Sequence, residues 1–194
     1  VGALGPRLTW VPLSRTEPGY TRGMTSPFPA ESFADVIEAN REFAAGFAFA
    51  GQPGRAQRGL AIVTCMDSRI SPLDVVGMDA GDAKILRNAG ARVTEDVLRT
   101  LVLASYLLGV ERILVMPHTD CRMAQAQESE IHTTIAEQYG VDTRSLEFRT
   151  VTDQRAALIT DVTRIRSFPL IPEAVAVAGA IYDVHTGTLE LVDC

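Results

Sequence analysis

Cysteine is scarce in this chain: 194 residues carry three, Cys65, Cys121 and Cys194. Three thiols so spaced make no disulfide framework, and a chain of this length has core enough without staples. A reducing cytoplasm is therefore the expected compartment. Basic charge is also in short supply, with 18 Lys and Arg against 24 Asp and Glu and a formal net charge of -6. Such a field repels phosphate, which argues against nucleic acid or an anionic membrane as partner. Long apolar runs are missing too. Stretches such as Leu101 to Leu108 fall far short of the ~18–20 residues a membrane helix needs. No Cys-x-x-Cys supports dithiol redox chemistry, and Gly77, Gly81 and Gly90 build no phosphate-binding loop. Repeats and low-complexity tracts are absent. What remains is 46% hydrophobic and 22% charged residues, the make-up of an ordinary folded protein.

Five of the ten prolines lie in residues 1–30, which read as an irregular N-terminal extension ahead of a single α/β domain over 31–194. Pro6, Pro12, Arg15, Glu17 and Pro18 interrupt the apolar centre a signal peptide would need. Met24 reads as a second possible start, so the residues before it are expected to be an extension, the alternative being an arm that lies on a partner subunit. A helix is expected from Ser32, capped by its hydroxyl at Asp35, with Phe33, Val36, Ile37, Phe43 and Phe47 at helical spacing. Residues 60–65 form a continuous apolar run, as in a parallel strand buried on both faces. A short helix after Ser71-Pro72, a strand at Lys84-Ile85-Leu86, a helix capped by Thr94 and a strand at 112–116 follow. One helix is expected from about Met123 to Tyr139 and another from Asp153 to Arg166. A strand over 175–184, the turn His185-Thr186-Gly187-Thr188 and a returning strand at 189–192 close the chain. The alternation predicts a mainly parallel central sheet flanked by helices, with an N-terminal helical arm and a C-terminal edge strand or hairpin.

Chemistry concentrates at two expected strand ends. Cys65-Met66-Asp67-Ser68-Arg69 follows the first apolar run, and His118-Thr119-Asp120-Cys121 follows the third strand. Ligand sites in parallel sheets lie beyond the carboxyl ends of strands. Two thiolates and an imidazole are a borderline-soft donor set suited to Zn²⁺. Two buried structural cysteines beside a locally bonded histidine would be the bland alternative, but paired motifs at two strand ends disfavour it. A closed structural zinc site would bring a fourth Cys or His. His132, on an expected helix, and His185, in a turn, both read as solvent-facing. The fourth position is thus left to water or to Asp67, and water on such a zinc becomes acidic. Asp67 can ligate the metal or take a proton from its water, and Arg69 can hold that carboxylate bidentately. Their pairing would open the site and its rupture would close it. A thiol nucleophile with His118 as base would leave the second cysteine without a role.

With these motifs the chain resembles the β-class carbonic anhydrases, over most of residues 32–194. The likeness includes Arg87-Asn88-Ala89-Gly90, the turn Gly109-Val110 and the closing segment from Ile181 to Leu189. The resemblance implies reversible hydration of carbon dioxide to bicarbonate and a proton. It implies zinc on Cys65, His118 and Cys121, with Asp67 on the metal in a closed state only. Asp67 and Arg69 would be the catalytic dyad, and Asn88, Ala89 and Gly90 would line or support the pocket. It also implies a small-molecule substrate and a homodimer or dimer-based oligomer, in which the first helix lies across the partner. Relatives of the short branch that hydrolyse carbonyl sulfide or carbon disulfide share the cluster and supply the alternative activity. A non-catalytic, zinc-stabilised structural or regulatory protein is the second alternative. The chain departs from the family pattern at Arg122, where glycine commonly follows the second zinc cysteine, and at Met116-Pro117, where one glycine is more usual.

Overall fold

A computed structural model describes residues 27–194. The expected extension, including the reading of Met24, therefore lies almost wholly outside the described residues. The described residues divide into two units, with the boundary between Ala48 and Phe49.

In the first unit a 3-10 turn, Ala30–Phe33, leads into α1, Ala34–Ala45. Ser32 does not cap the helix as expected. Its N–H donates to the Pro29 carbonyl at 3.0 Å inside the 3-10 turn, and α1 starts two residues later with Phe33 at the cap position. No residue of α1 is buried.

The second unit runs β1 (Leu60–Cys65), α2 (Pro72–Val75), β2 (Ala83–Asn88), α3 (Glu95–Leu107), β3 (Arg112–Met116), α4 (Arg122–Gln125), α5 (Glu128–Tyr139), α6 (Gln154–Arg166), β4 (Ala176–Tyr182) and β5 (Leu189–Val192). The five strands lie in the order β2-β1-β3-β4-β5. The first four are parallel, and β5 returns antiparallel on β4 as both hairpin partner and edge strand. Every residue of β1 is buried, which explains its unbroken apolar run. Ala61 and Val63 point into one core with Leu98 and Leu101 of α3 and Leu158, Val162 and Ile165 of α6. Leu60 and Ile62 point into the other, with Ile70, Met116 and Met123. Burying each of these Val, Leu, Ile and Met side chains stabilises the fold by ~1.5–3 kcal/mol relative to exposure.

Helix starts follow the capping residues at two places. Thr94 Oγ1 accepts from the Val97 N–H at 3.4 Å, and Asp153 Oδ1 from the Ala156 N–H at 3.0 Å. The helix expected over 123–139 is two helices. Glu130 accepts the Gln127 N–H at 3.0 Å, half of a capping box that starts α5 afresh.

Strand order decides where a site can form. From β1 the chain steps to β2 on one side and then to β3 on the other. The crevice at such a reversal opens beyond the carboxyl ends of the two strands that flank it. Those strands are β1 and β3.

Candidate metal centre

Cys65 is the last residue of β1, while His118 stands two residues beyond β3 and Cys121 immediately before α4. Their donor atoms lie within 4.8 Å of one another, and all three residues are buried. The β3 side is tightly fixed. The Thr119 N–H donates to Tyr182 O at 2.9 Å, the Val184 N–H to Thr119 Oγ1 at 3.1 Å, and Gln154 Nε2 to His118 O at 2.8 Å. Asp120 takes the left-handed conformation, φ 56°, that turns the chain from His118 to Cys121.

The ring of His118 is oriented by its own neighbour. Its Nδ1 lies 2.7 Å from the Thr119 carbonyl, which can only accept, so Nδ1 carries the proton. Nε2 is left with its lone pair. Among the described residues, this is the one buried side-chain nitrogen or oxygen without a hydrogen-bond partner. An orphaned acceptor in the interior is costly unless something takes it up. Two sulfurs and this nitrogen, turned to one point, fit a tetrahedral zinc with one position open.

Charge balance points the same way. The hydrogen bond from Cys121 and then the neighbouring His118 and backbone N–H groups depress the Cys65 pKa, although burial opposes this. That same bond and burial raise Cys121. Burial works against a charged His118, yet Cys65, the Thr119 carbonyl and Asp67 together outweigh it and the pKa of the ring rises. The trio thus shares protons that a cation would displace.

Asp67 and Arg69 stand at the rim. Arg69 Nε donates to Asp67 Oδ1 at 2.9 Å and Nη2 to Oδ2 at 2.8 Å, and the Arg69 N–H adds a third bond at 2.9 Å. These bonds from Arg69 hold the carboxyl well below the usual carboxylate range. Asp67 Oδ2 is 3.7 Å from His118 Nε2, so the carboxylate borders the donor set while gripped by the arginine.

The segment Arg87-Asn88-Ala89-Gly90 supports this centre from β2. Arg87, which sequence reasoning quoted but gave no role, donates to the carbonyls of Cys65 (2.8 Å), Ile70 (3.3 Å) and Asp67 (2.6 Å). The Gly90 N–H points at Cys65 Sγ, 3.4 Å away. Asn88 turns its amide to the Arg92 backbone, and Ala89 packs in the core beside Cys65. Gln154 carried no sequence signal, lying 36 residues from the carbonyl it holds.

His185 is exposed, as expected, and pairs with Asp120 at 2.6 Å. His132 is half-buried instead, its ring 5.1 Å from that of Phe148 and its Nδ1 2.9 Å from Thr143 Oγ1. Arg122 is exposed at the start of α4. Cys194 packs against the core that α3 and α6 cover, away from the Cys65 cluster.

A family model described as carbonic anhydrase matches residues 60–189. The chain is 34% identical over 161 residues to β-carbonic anhydrase 1 of Mycobacterium tuberculosis, covering 81% of this chain and 96% of that one. The crystal structure of a carbonic anhydrase from Streptococcus mutans is similar with a TM-score of 0.78 at 38% identity, covering 83% of this chain and 97% of the other. A carbon disulfide hydrolase of Acidithiobacillus thiooxidans is 31% identical over 152 residues, covering 68% of this chain and 76% of that one. From residue 60 onward the matched stretch takes in both strand ends and all three donors, and the chain belongs to the β-carbonic anhydrase family.

Proposed function

We propose that this protein catalyses the reversible hydration of carbon dioxide to bicarbonate and a proton, with Cys65, His118 and Cys121 holding the zinc that the family uses. When bound there, zinc supplies a Lewis acid that brings the ionisation of water toward the neutral range. The observation that carries the reading is the Asp67–Arg69 pair beside the orphaned His118 Nε2. A pre-placed ionised carboxylate at 3.7 Å from a metal donor can accept a hydrogen bond from water and aim its lone pair at carbon dioxide. Arg69 keeps Asp67 ionised and fixes its angle through the two-pronged bond. Release of that bond would let the carboxylate swing to the donor set and close the site, so the pair acts as a gate. Ala89 and Gly90 border the site and Asn88 supports it from behind. Balanced over a turnover, one water adds to carbon dioxide and one proton leaves to solvent.

A non-catalytic zinc protein would supply a fourth ligand. Among the described residues only three donors gather. Residues 31–194 are taken as one zinc-enzyme domain behind the N-terminal extension. A homodimer or a dimer-based oligomer is supported by the 3-10 turn and α1, where Phe33, Val36 and Phe43 stand exposed. A cytoplasmic setting is supported by the three unpaired cysteines. Among the described residues no helix is long and apolar enough to cross a membrane.

Zinc-loaded protein assayed side by side on carbon dioxide, carbonyl sulfide and carbon disulfide tests the activity. Carbon dioxide hydration is expected to be the fast reaction. Turnover of a sulfur substrate alone would assign the chain to the alternative activity, and zinc without any turnover would leave the structural role.

A further inference from the structure

The turn after β2 is held in a conformation that its residues resist. Gly90 has φ 80° and Ala91 φ 57°, two left-handed residues in succession. Glycine takes that region freely, whereas an alanine there costs ~1–2 kcal/mol. Such a residue persists where its surroundings over-determine it. Ala91 is 1% exposed, and a side chain at Gly90 would meet Met123 Cβ at 3.1 Å, so the turn is wedged between β1 and the start of α4.

A brace behind the turn supplies the constraint. Asn88 accepts the Arg92 N–H at 2.9 Å and donates to the Arg92 carbonyl at 2.7 Å, which closes a ring around residues 89–91. The Arg92 guanidinium bonds to α6 and to the backbone of Arg149. Its Nε donates to Asp161 Oδ2 at 2.7 Å, its Nη2 to Oδ1 at 3.4 Å, and its Nη1 to Arg149 O at 3.3 Å. Asp161 is 3% exposed on α6, among Leu158, Val162 and Ile165. A carboxylate buried on an apolar helix face destabilises the chain unless it is paired. A hydrophobic residue would have served the packing, so the pair does something packing alone does not.

Its outlet is the Gly90 N–H, the one group of the turn bonded to a metal donor, at 3.4 Å from Cys65 Sγ. We infer that Asp161 and Arg92 are positioning residues for the zinc thiolate. Through the Asn88 ring they hold the strained turn so that the Gly90 N–H stays on Cys65. The inference rests on the zinc reading above and concerns sulfur, not the dyad. Groups that hydrogen-bond to metal ligands orient them and tune their donation. An N–H on a thiolate lowers the energy of the sulfur lone pair, and losing it raises that energy.

The test uses cobalt(II) in place of zinc in the full chain and reads the thiolate-to-cobalt charge-transfer band. Asp161→Asn keeps the shape and removes the charge that anchors Arg92. The band is expected to move to lower energy, and zinc affinity measured against a chromophoric chelator to fall at least ~10-fold. Val162→Ala, the neighbour on α6, loses core packing alone and is expected to lower stability with the band unmoved. If Asp161→Asn fails to fold, Arg92→Lys replaces it: the charge remains but the fork is lost, and a smaller move in the same direction is expected. A band unmoved in the folded variant overturns the inference, even where zinc affinity falls, because the pair then merely packs. No thiolate band in the wild type would overturn the zinc reading itself, and the inference with it.

Discussion

The two strand-end segments meet at one point but are held in opposite ways. After β3, His118 is 1% and Cys121 3% exposed, and Tyr182, Val184 and Gln154 lock the backbone between them through carbonyl, amide and hydroxyl bonds. In the segment from Cys65 to Arg69, only Cys65 is buried. The Asp67 side chain is 20% and the Arg69 side chain 45% exposed, and they hold chiefly each other. On the function we propose, the difference separates holding a metal from acting beside it. Donors must already point at one spot when the ion arrives, so they sit in rigid, dry backbone. A group that orients water must touch solvent and be able to move. Arg87 joins the two regimes, fixing the main chain of residues 65–70 by three carbonyls while leaving the Asp67 side chain to Arg69.

Breaking the rigid side gives the largest effect. Cys121→Ser replaces a soft thiolate by a poor zinc donor in a site preformed for sulfur. Zinc is expected to be lost on dialysis, and carbon dioxide hydration to fall by at least ~10³-fold, a loss on the scale of removing a metal's own contribution. Atomic absorption and stopped-flow hydration check the two halves. Retention of stoichiometric zinc would contradict the assignment.

Breaking the mobile side should spare the metal. Arg69→Ala is expected to keep zinc and to lower the hydration rate by ~10²-fold, the scale of a misplaced proton-transfer group. It also frees Asp67 to titrate. In the wild type the pKa is depressed by Arg69, so the stability this pair contributes is complete above the unfolded carboxylate value of ~3.9 and is lost as pH falls through the lower folded value. NMR titration of the Asp67 carboxyl in apoprotein is expected to show an upward move in Arg69→Ala. An unmoved titration would mean that the bidentate pair does not govern the carboxylate.

A smaller effect should come from the second tier. Gln154→Ala removes one hydrogen bond to the His118 carbonyl, worth ~0.5–1.5 kcal/mol of stability, more where that buried acceptor stays unsatisfied. Denaturant unfolding of the apoprotein checks this. Zinc stoichiometry is expected to be unchanged, since Thr119, Tyr182 and Val184 still hold the loop.

Cys65 and His118 were legible because each closes a run that announces itself: five buried residues before Cys65, and the strand Arg112–Met116 before His118. The parallel sheet, the cap at Thr94, the helix start near Asp153 and the returning β5 could be read for the same reason, being local patterns. What escaped was nonlocal or a close contest. Asp161 lies 69 residues from Arg92, and Gln154 lies 36 from His118. Nothing in a helix's own pattern says which strand end its polar residue will face. Asp161 carries no signal of its own in the sequence, and only the approach of α6 to the turn after β2 gives it a partner. At Ser32 and at Gln127 two local choices competed, 3-10 against α and one helix against two, and neighbouring prolines and acids decided.

Holding and acting separate most cleanly at Asp67, which borders the donors without being one of the three. Asp67→Asn keeps its size and removes its charge. The direct measurement is the stopped-flow rate of carbon dioxide hydration by zinc-loaded Asp67→Asn, normalised to the zinc bound and compared with wild type. A rate lower by ~10²–10⁴-fold at full zinc occupancy is expected, the range for a lost proton-handling group. An undiminished rate at the same occupancy would contradict the account.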